Sequence, residues 1–379
     1  MAAGGSTAIN LPGDAIFDIL SWTPVKSLCR FRCVSKEWLA LISNPAFVVK
    51  HSSRAGPETR LVASFYKGPY GGGILVMDTK GNVTRAIEGL GLLPTVRSSL
   101  DNLIAVSCYH SITRVVDVVT GKVLVTFPAP EGAYAMRLGR SAGSRLCKVV
   151  RLTEGLSYHG QLLQQTCEVR TLGSVFGWRQ AQSPPAIVSL SGFDSFGATV
   201  NGVVYFLTSP THGLPTRRRP GDDRVVCFNL QSEEWNKPIE GPLKADTELW
   251  SKTGDIRIAE LKEALCMIQT EVRQTDHPCT NVWILVDPDN SIWDKAYVIP
   301  KAMSSHVVEP LWMMPDGVVK LLLRESLIAN RRAAELRVYD HCSGICTDMM
   351  KMPNSTFGKI SRCNLHLDNR FAPAARKAI

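Results

Sequence analysis

The sequence predicts a small all-α module of three helices followed by a long all-β domain, and three observations predict it. Apolar residues recur at helical spacing between residues 11 and 45. Beyond residue 60 the chain breaks into short apolar strands separated by polar or glycine turns. Those strand–turn units return about every 50 residues, the spacing of a β-propeller assembled from four-stranded blades. At 379 residues the chain is long enough for two or three domains, and 45% hydrophobic with 20% charged residues is an ordinary globular balance.

The helices come first. Residues 1–8 are expected to be disordered. Pro12 can open a helix, since a missing N–H costs nothing in the first turn, and Asp14 there complements the macrodipole. Ile16, Ile19 and Leu20 then fall at i, i+3 and i+4 and form an apolar stripe. Thr23 before Pro24 reads as an N-cap with proline at the first helical position. The second helix carries Val25, Leu28, Phe31 and Val34 at threefold spacing. Ser35 caps a third, with Trp38, Leu41 and Ile42 on one side, and Asn44-Pro45 ends it. Three short helices make too little core to be comfortably stable alone. Part of the apolar stripe is therefore expected to stay exposed until a partner covers it, which makes this a docking module.

The stretch "LPGDAIFDILSWTPVKSLCRFRCVSKEWLALISNPAF" resembles an F-box of the plant type, in which the box leads a long C-terminal domain. Leu11-Pro12, the Ile19-Leu20 pair, Pro24-Val25, Ser27-Leu28, "RFRCVSKEW" and Asn44-Pro45 all sit in register, and the module is placed at residues 9–50. The resemblance implies binding to the Skp-type adaptor of a cullin-based ubiquitin ligase. It implies that Leu11, Pro12, Ile16, Ile19, Leu20, Pro24, Val25 and Leu28 face the adaptor, while Phe31, Val34 and Trp38 hold the module together. The chain departs from the family pattern at Trp22-Thr23, where a basic residue and a leucine are more common before the proline.

Residues 51–60 lack an apolar period and contain Gly56-Pro57, so they read as a linker. The β body follows at 61–370, with a basic tail at 371–379. Its repeated unit appears as "GILVMDTKGNVTRAI", "TRVVDVVTGKVLVTF", "CEVRTLGSVFGWRQ", "RVVCFNLQSEEWNKPI", "NVWILVDPDNSIWDKAYVI" and "ELRVYDHCSGICTDMM". The residues entering each turn are Asp78, Asp117, Arg170, Asn229, Asp287 and Asp340, at separations of 39, 53, 59, 58 and 53. Trp178, Trp235 and Trp293 repeat at 57 and 58, and are read as packing residues between blades. A second pair of strands precedes each first pair. Asn201-Gly202 suits a type I′ hairpin turn, and Pro315-Asp316-Gly317 opens another hairpin. Strands such as "VWILV" and "VVDVV" are apolar on consecutive residues, as expected where both faces of a sheet are covered. Six units give a six-bladed β-propeller, with residues 362–369 supplying a closing strand and 209–224 projecting as the longest polar insertion. "TLGSVFGWR", "VNGVVYFL", "FNLQSEEW", "LWMMPDGVVKLL" and "LRVYDHCSG" resemble the F-box-associated domain, which implies a substrate-binding propeller. Lys262-Glu263 departs from it, standing where a glycine-containing turn is usual.

No motif for catalysis stands out, and the chain is expected to be a non-catalytic receptor without cofactor or metal. Cys29 and Cys33, like Cys342 and Cys346, have three residues between them but no second pair at zinc spacing. His341 adds one ligand type beside Cys342. The glycines of "YGGGI" precede a strand instead of opening a helix, so they are not a phosphate loop. Ser304-Ser305-His306 reads as a loop and not a triad. The net charge of +9 is scattered, and its tightest run, Arg217, Arg218 and Arg219, is followed by Asp222 and Asp223. That run is a solvated loop or a substrate-side contact for acidic or phosphorylated groups. The 11 cysteines, several inside apolar runs, fit reduced buried thiols. With no secretory signal and no apolar run near ~18 residues, a cytoplasmic or nuclear location is expected, with no membrane partner. The leading expectation is the substrate-recognition subunit of a Skp–cullin–F-box ligase with an unknown target protein. Two alternatives are kept: a propeller binding nucleic acid or another acidic ligand, and a propeller hydrolase. The first lacks basic residues clustered with aromatics, and the second lacks converging acids.

Overall fold

The computed structural model describes residues 11–44, 46–48, 50–51, 58–67, 71–108, 112–130, 132, 134–155, 163–190, 197–208, 223–243, 253–261, 263–271, 279–300, 306–313, 320–327, 334–351 and 356–365. The chain divides into two units, one of residues 1–60 with 364–379 and one of residues 61–363. The first contains three helices, α1 (Gly13–Ser21), α2 (Val25–Phe31) and α3 (Lys36–Ile42).

The second unit is β throughout. Its first strands are β1 (Glu58–Lys67), β2 (Gly71–Met77) and β3 (Val83–Glu88), followed by β4 (Thr95–Leu100), β5 (Leu103–Cys108), β6 (Ile112–Asp117) and β7 (Val123–Pro128). Next come β8 (Tyr134–Arg140), β9 (Cys147–Gly155), β10 (Leu163–Thr171) and β11 (Arg179–Ala181). A fourth group holds β12 (Gly197–Val200), β13 (Val203–Leu207), β14 (Val225–Asn229) and β15 (Glu234–Trp235). The fifth holds β16 (Thr253–Leu261), β17 (Ala264–Glu271), β18 (Cys279–Asp287) and β19 (Ile292–Pro300). The last are β20 (His306–Met313), β21 (Lys320–Leu327), β22 (Ala334–Asp340), β23 (Ile345–Lys351) and β24 (Thr356–Leu365).

These strands form four-stranded sheets in a propeller arrangement. Five sheets, β4–β7 through β20–β23, are each built from four consecutive strands. One further sheet is composite, in the order β24-β1-β2-β3, so the first and last strands of the chain's β region share it. The closing strand begins earlier than residue 362, at Thr356. Arg170 is the next-to-last residue of β10, so Thr171 holds the strand-ending place that Asp117 and Asn229 hold in β6 and β14.

Burial explains the unbroken apolar runs. In β13, Val204 and Phe206 join a buried cluster with Val150, Leu152 and Val169 of the preceding sheet. Their neighbours Tyr205 and Leu207 point the other way, to Ile256, Ile258 and Met267 of the next sheet. Alternate residues thus serve opposite faces, and both faces are covered. Each large side chain buried in this way contributes about 1.5–3 kcal/mol relative to exposure. Leu61, Ala63 and Met77 of the composite sheet pack with Leu311 and Leu336, which brings the last contiguous sheet against the first.

The recurring Asp and Asn have one structural job. The Oδ1 of Asp117 accepts the N–H groups of Val119 and Thr120 at 2.8 and 3.2 Å. Asn229, Asp287 and Asp340 do the same for the residues two and three places on. Asp78 accepts from Lys80 and Asn82 instead. A short side-chain acceptor at turn entry satisfies donors that the sheet leaves unpaired. Each of these turns then needs a left-handed residue, supplied by Gly81, Gly121 and Gly344 but by Glu233 and Ser291 in the other two. Asn201 and Gly202 both have positive φ, 46° and 82°, as the type I′ reading requires. The glycine-free turn at Lys262-Glu263 closes with Glu263 left-handed at φ 60°, its N–H donating to Glu260 Oε1 at 2.8 Å. Glycines in "YGGGI" make room: a Cβ on Gly73 would lie 2.2 Å from the Ile87 carbonyl oxygen.

The repeated tryptophans stitch neighbouring sheets. Trp235 donates its indole N–H to the Gln182 carbonyl at 2.7 Å, and Trp293 donates to Glu240 at 2.8 Å. Trp178 differs. Arg151 lies 4.0 Å over its ring and donates to the Pro128 carbonyl at 3.2 Å.

Arg137, on β8, is a further stitch. Its guanidinium is buried and donates to the carbonyls of Arg97 on β4 and Gly197 on β12, each at 2.6 Å, and to Met136 at 2.9 Å. Three successive sheets meet on one side chain. Burial, with the neighbouring Arg97 charge, pulls its pKa down to about 9, so it still carries its proton at neutral pH. A Cβ on Gly197 would stand 2.8 Å from its Nε, which keeps that position glycine.

Arg137→Met strips donors from buried carbonyls and is expected to destabilise the chain by about 3 kcal/mol or more, read from urea unfolding. Glu233 gives a pH test. Burial raises its pKa, but hydrogen bonds and charge from Lys148 and Arg179, at 2.8 and 2.6 Å, outweigh that and hold it below the usual range. Its contribution is therefore fully present above the unfolded value of about 4.3 and lost as pH falls through the folded one. The gap in urea midpoint between wild type and Glu233→Gln should be open at pH 7 and shrink below about pH 4. A gap that stays constant with pH would contradict this assignment.

Candidate functional site

The helical unit is held by four side chains buried almost completely: Leu20 from α1, Leu28 from α2, Ile42 from α3, and Phe47 just beyond it. Around them pack Ile16, Phe17, Cys29, Phe31, Trp38, Leu41 and Val48. Phe17 meets Phe47 edge-on at 5.1 Å between ring centres, and Phe31 meets Trp38 likewise at 5.4 Å. Ser35 caps α3 as its spacing predicts, accepting the Trp38 N–H at 3.1 Å. Thr23 does not cap α2. Pro24 takes that position without a side-chain bond, and the Thr23 hydroxyl donates back to the Ile19 carbonyl at 3.3 Å.

α3 ends at Ile42, just ahead of Asn44-Pro45 as expected, but the module continues beyond it. Asn44 Oδ1 accepts the Ala46 N–H at 2.8 Å, and residues 46–48 are helical again, which delivers Phe47 to the core. His51 belongs to this unit as well, and not to a linker. Its ring stacks on Phe47 and its Nε2 bonds the Thr23 carbonyl at 2.8 Å.

Two sets of apolar residues separate here. Leu11, Ile19 and Trp22 are 52%, 56% and 61% exposed, and Val34 and Leu39 are also exposed. Pro12 and Pro24 lie at the surface, and Ile16 is half-buried at the edge of the core. Val25 is the first residue of α2. Leu20 and Leu28, expected to face a partner, instead fill the core, because a unit this small cannot close without them. Val34, expected to hold the module together, is 62% exposed. Trp22 and Leu39 are further exposed apolar groups that the helical spacing does not pick out. Helical spacing marks an apolar stripe but not which edge of it faces inward.

Among the described residues no group of three or more His, Cys, Asp or Glu converges to hold a metal. Burial pushes the thiols of Cys167, Cys227 and Cys266 up to about 12, where they stay protonated and unreactive at neutral pH. His341 packs edge-on against Tyr297, with ring centres 5.2 Å apart. No described helix is long and apolar enough to cross a membrane. Arg217, Arg218 and Arg219, like Ser304-Ser305 and Pro315-Asp316-Gly317, lie outside the described residues.

Comparison with known proteins places names on both units. Residues 9–50 match the F-box domain model, and residues 145–319 match the F-box associated beta propeller domain model. The Arabidopsis thaliana F-box protein At1g30790 is 26% identical over 310 residues, covering 76% of this chain and 74% of that protein. The F-box/kelch-repeat protein At3g23880 of the same plant is 25% identical over 336 residues, covering 83% and 85%. Among solved structures, the Myceliophteria thermophila Cps50 (Swd1) β-propeller domain shares 12% identity at a TM-score of 0.43, covering 79% of this chain and 88% of that one. That likeness is too loose to bear on the fold. The chain thus carries an F-box followed by an F-box associated β-propeller domain, and its relatives are plant F-box proteins.

The two apolar sets make different demands. Leu28→Ala should cost about 2–5 kcal/mol locally and speed amide exchange across residues 13–42, whereas Leu11→Ala should leave that exchange unchanged. Hydrogen–deuterium exchange on the full chain reads both.

Proposed function

We propose that this chain is a non-catalytic substrate-recognition subunit of a Skp–cullin–F-box ubiquitin ligase. One observation carries the reading. The segment matching the F-box model has a filled core, yet it leaves Leu11, Ile19 and Trp22 more than half exposed. Burying the exposed part of each such side chain gains on the order of 1 kcal/mol, and that gain is available to a partner. On this reading Leu11, Pro12, Ile19 and Pro24, with Val25 at the head of α2, meet the Skp-type adaptor. Ile16 lies at the margin, and Leu20 and Leu28 support the surface from beneath. The adaptor joins the chain to a cullin scaffold.

The β unit is the reader. Its four-stranded sheets form a rigid frame whose connecting loops hold a target protein. Arg217, Arg218 and Arg219 suit an acidic or phosphorylated group on that target. Catalysis is left to the recruited ubiquitin-conjugating enzyme. The chain contributes effective concentration and orientation, not bond chemistry. Cytoplasm or nucleus is the proposed place of action. The relatives, themselves F-box proteins, support the same role.

The test mixes the full chain with a purified plant Skp-type adaptor and follows co-elution by size exclusion. Wild type should co-elute, and a variant carrying Leu11→Asp with Ile19→Asp should not, with its circular dichroism unchanged. Co-elution of that variant, or failure of wild type, would overturn the reading.

A further inference from the structure

We infer that the connection between β10 and β11 is a docking point for an acidic segment of the target protein, whose apolar side chains pack on Val175 and Phe176; this rests on the target-holding role proposed above. Val175 is 96% exposed and Phe176 69%, the two highest values among the large apolar side chains of the described residues. Leu146, 44% exposed, lies in the adjoining connection between β8 and β9. The equivalent connections of the other sheets, residues 78–82, 118–122, 230–233, 288–291 and 341–344, expose no large apolar side chain. This one is longer, running over 172–178, and it alone puts an apolar pair into water.

The loop is braced at its neck. The Leu172 N–H donates to the Cys147 carbonyl at 2.8 Å, and the Arg179 guanidinium donates to Thr171 Oγ1 at 3.3 Å and to Glu233 Oε1 at 2.6 Å. Gly173 turns the chain with φ 80°, and the Phe176 N–H donates to Ser174 Oγ at 3.1 Å. Trp178 anchors the exit, edge-on to Phe127 at 5.1 Å and beneath Arg151 at 4.0 Å. Binding groups gather on loops that a rigid scaffold positions, and a braced apolar pair loses little freedom when a partner covers it.

Charge identifies the occupant. Arg170 and Arg179 stand on the strands either side of the loop, and Lys148 is the β9 partner of Thr171. Glu233 is set against both Lys148 and Arg179, whereas Arg170 lies 5.9 Å from the centre of the Phe127 ring. The base of the loop is therefore net positive beneath an apolar tip. A segment that covers the tip meets this charge, which selects Asp and Glu around its apolar residues. Two apolar side chains are a weak hold on a bilayer, but a few well-placed contacts suffice for a peptide, so a protein segment is favoured over a lipid surface.

Panning a random peptide library, displayed on phage, against the full chain tests this. Peptides that combine aromatic or aliphatic residues with Asp and Glu should be enriched. Synthesised with a fluorescent label, they should lose roughly tenfold or more in affinity for a variant carrying Val175→Ser with Phe176→Ser. Arg170→Gln should weaken them roughly threefold. The thermal midpoint of the double variant should not move, since both side chains lie outside the core. No enrichment, enrichment of basic or uncharged peptides, or equal binding by the double variant would overturn the inference. So would a wild type that binds phosphatidylserine vesicles or dimerises where the double variant does not, which would make the loop a lipid contact or a self-association contact. The adaptor co-elution above separates the two readings. If wild type co-elutes and the peptides fail, the ligase reading stands without this docking point; if wild type does not co-elute, the ligase reading fails and the loop has no ligase target.

Discussion

Each sheet of the β unit has two apolar faces, and neither can be left to water. That constraint governs the rest. Val204 and Phe206 commit one face of a strand to the sheet before it, and Tyr205 and Leu207 commit the other to the sheet after it. A row of such sheets is stable only where it has no uncovered end. The packing of Leu311 and Leu336 against Leu61 and Met77 removes the ends. Inter-sheet polar contacts, such as those of Arg137, Trp235 and Trp293, add direction to a hydrophobic arrangement that would otherwise tolerate sliding.

The helical unit answers a different problem. It is too small to bury everything apolar that it carries, and it resolves the shortage by concentrating Leu20, Leu28, Ile42 and Phe47 inside. What remains outside is available for association. The same composition therefore serves both cohesion and docking, and the division between them is set by which side chains reach the centre first.

Much of this was legible beforehand, where one residue has one local job. Asp117, Asn229, Asp287 and Asp340 mark turns because a short acceptor beside free N–H groups has few other uses, and the period of the β unit follows from them. Asn201-Gly202 and Ser35 are of the same kind. Other features resisted. Leu20 and Ile19 are adjacent on one apolar stripe, yet one is core and the other surface, and only tertiary packing decides between them. Phe47 lies past a proline that reads as a stop. Arg137 sits in "AMRLGR" as a charge in an apolar strand, and nothing local tells that carbonyls of two neighbouring sheets will surround it. Glu263 takes a left-handed turn that glycine would take more cheaply, held there by its bond to Glu260.

The pairing of β24 with β1 has a consequence for how the molecule is made. As the chain leaves the ribosome, β1, β2 and β3 emerge first and must wait for about 270 residues of synthesis before their fourth strand arrives. Throughout that interval β1 offers an open hydrogen-bonding edge to any passing strand, the kind of exposure that chaperones guard. Translation that ends short of Thr356 would leave that edge open for good.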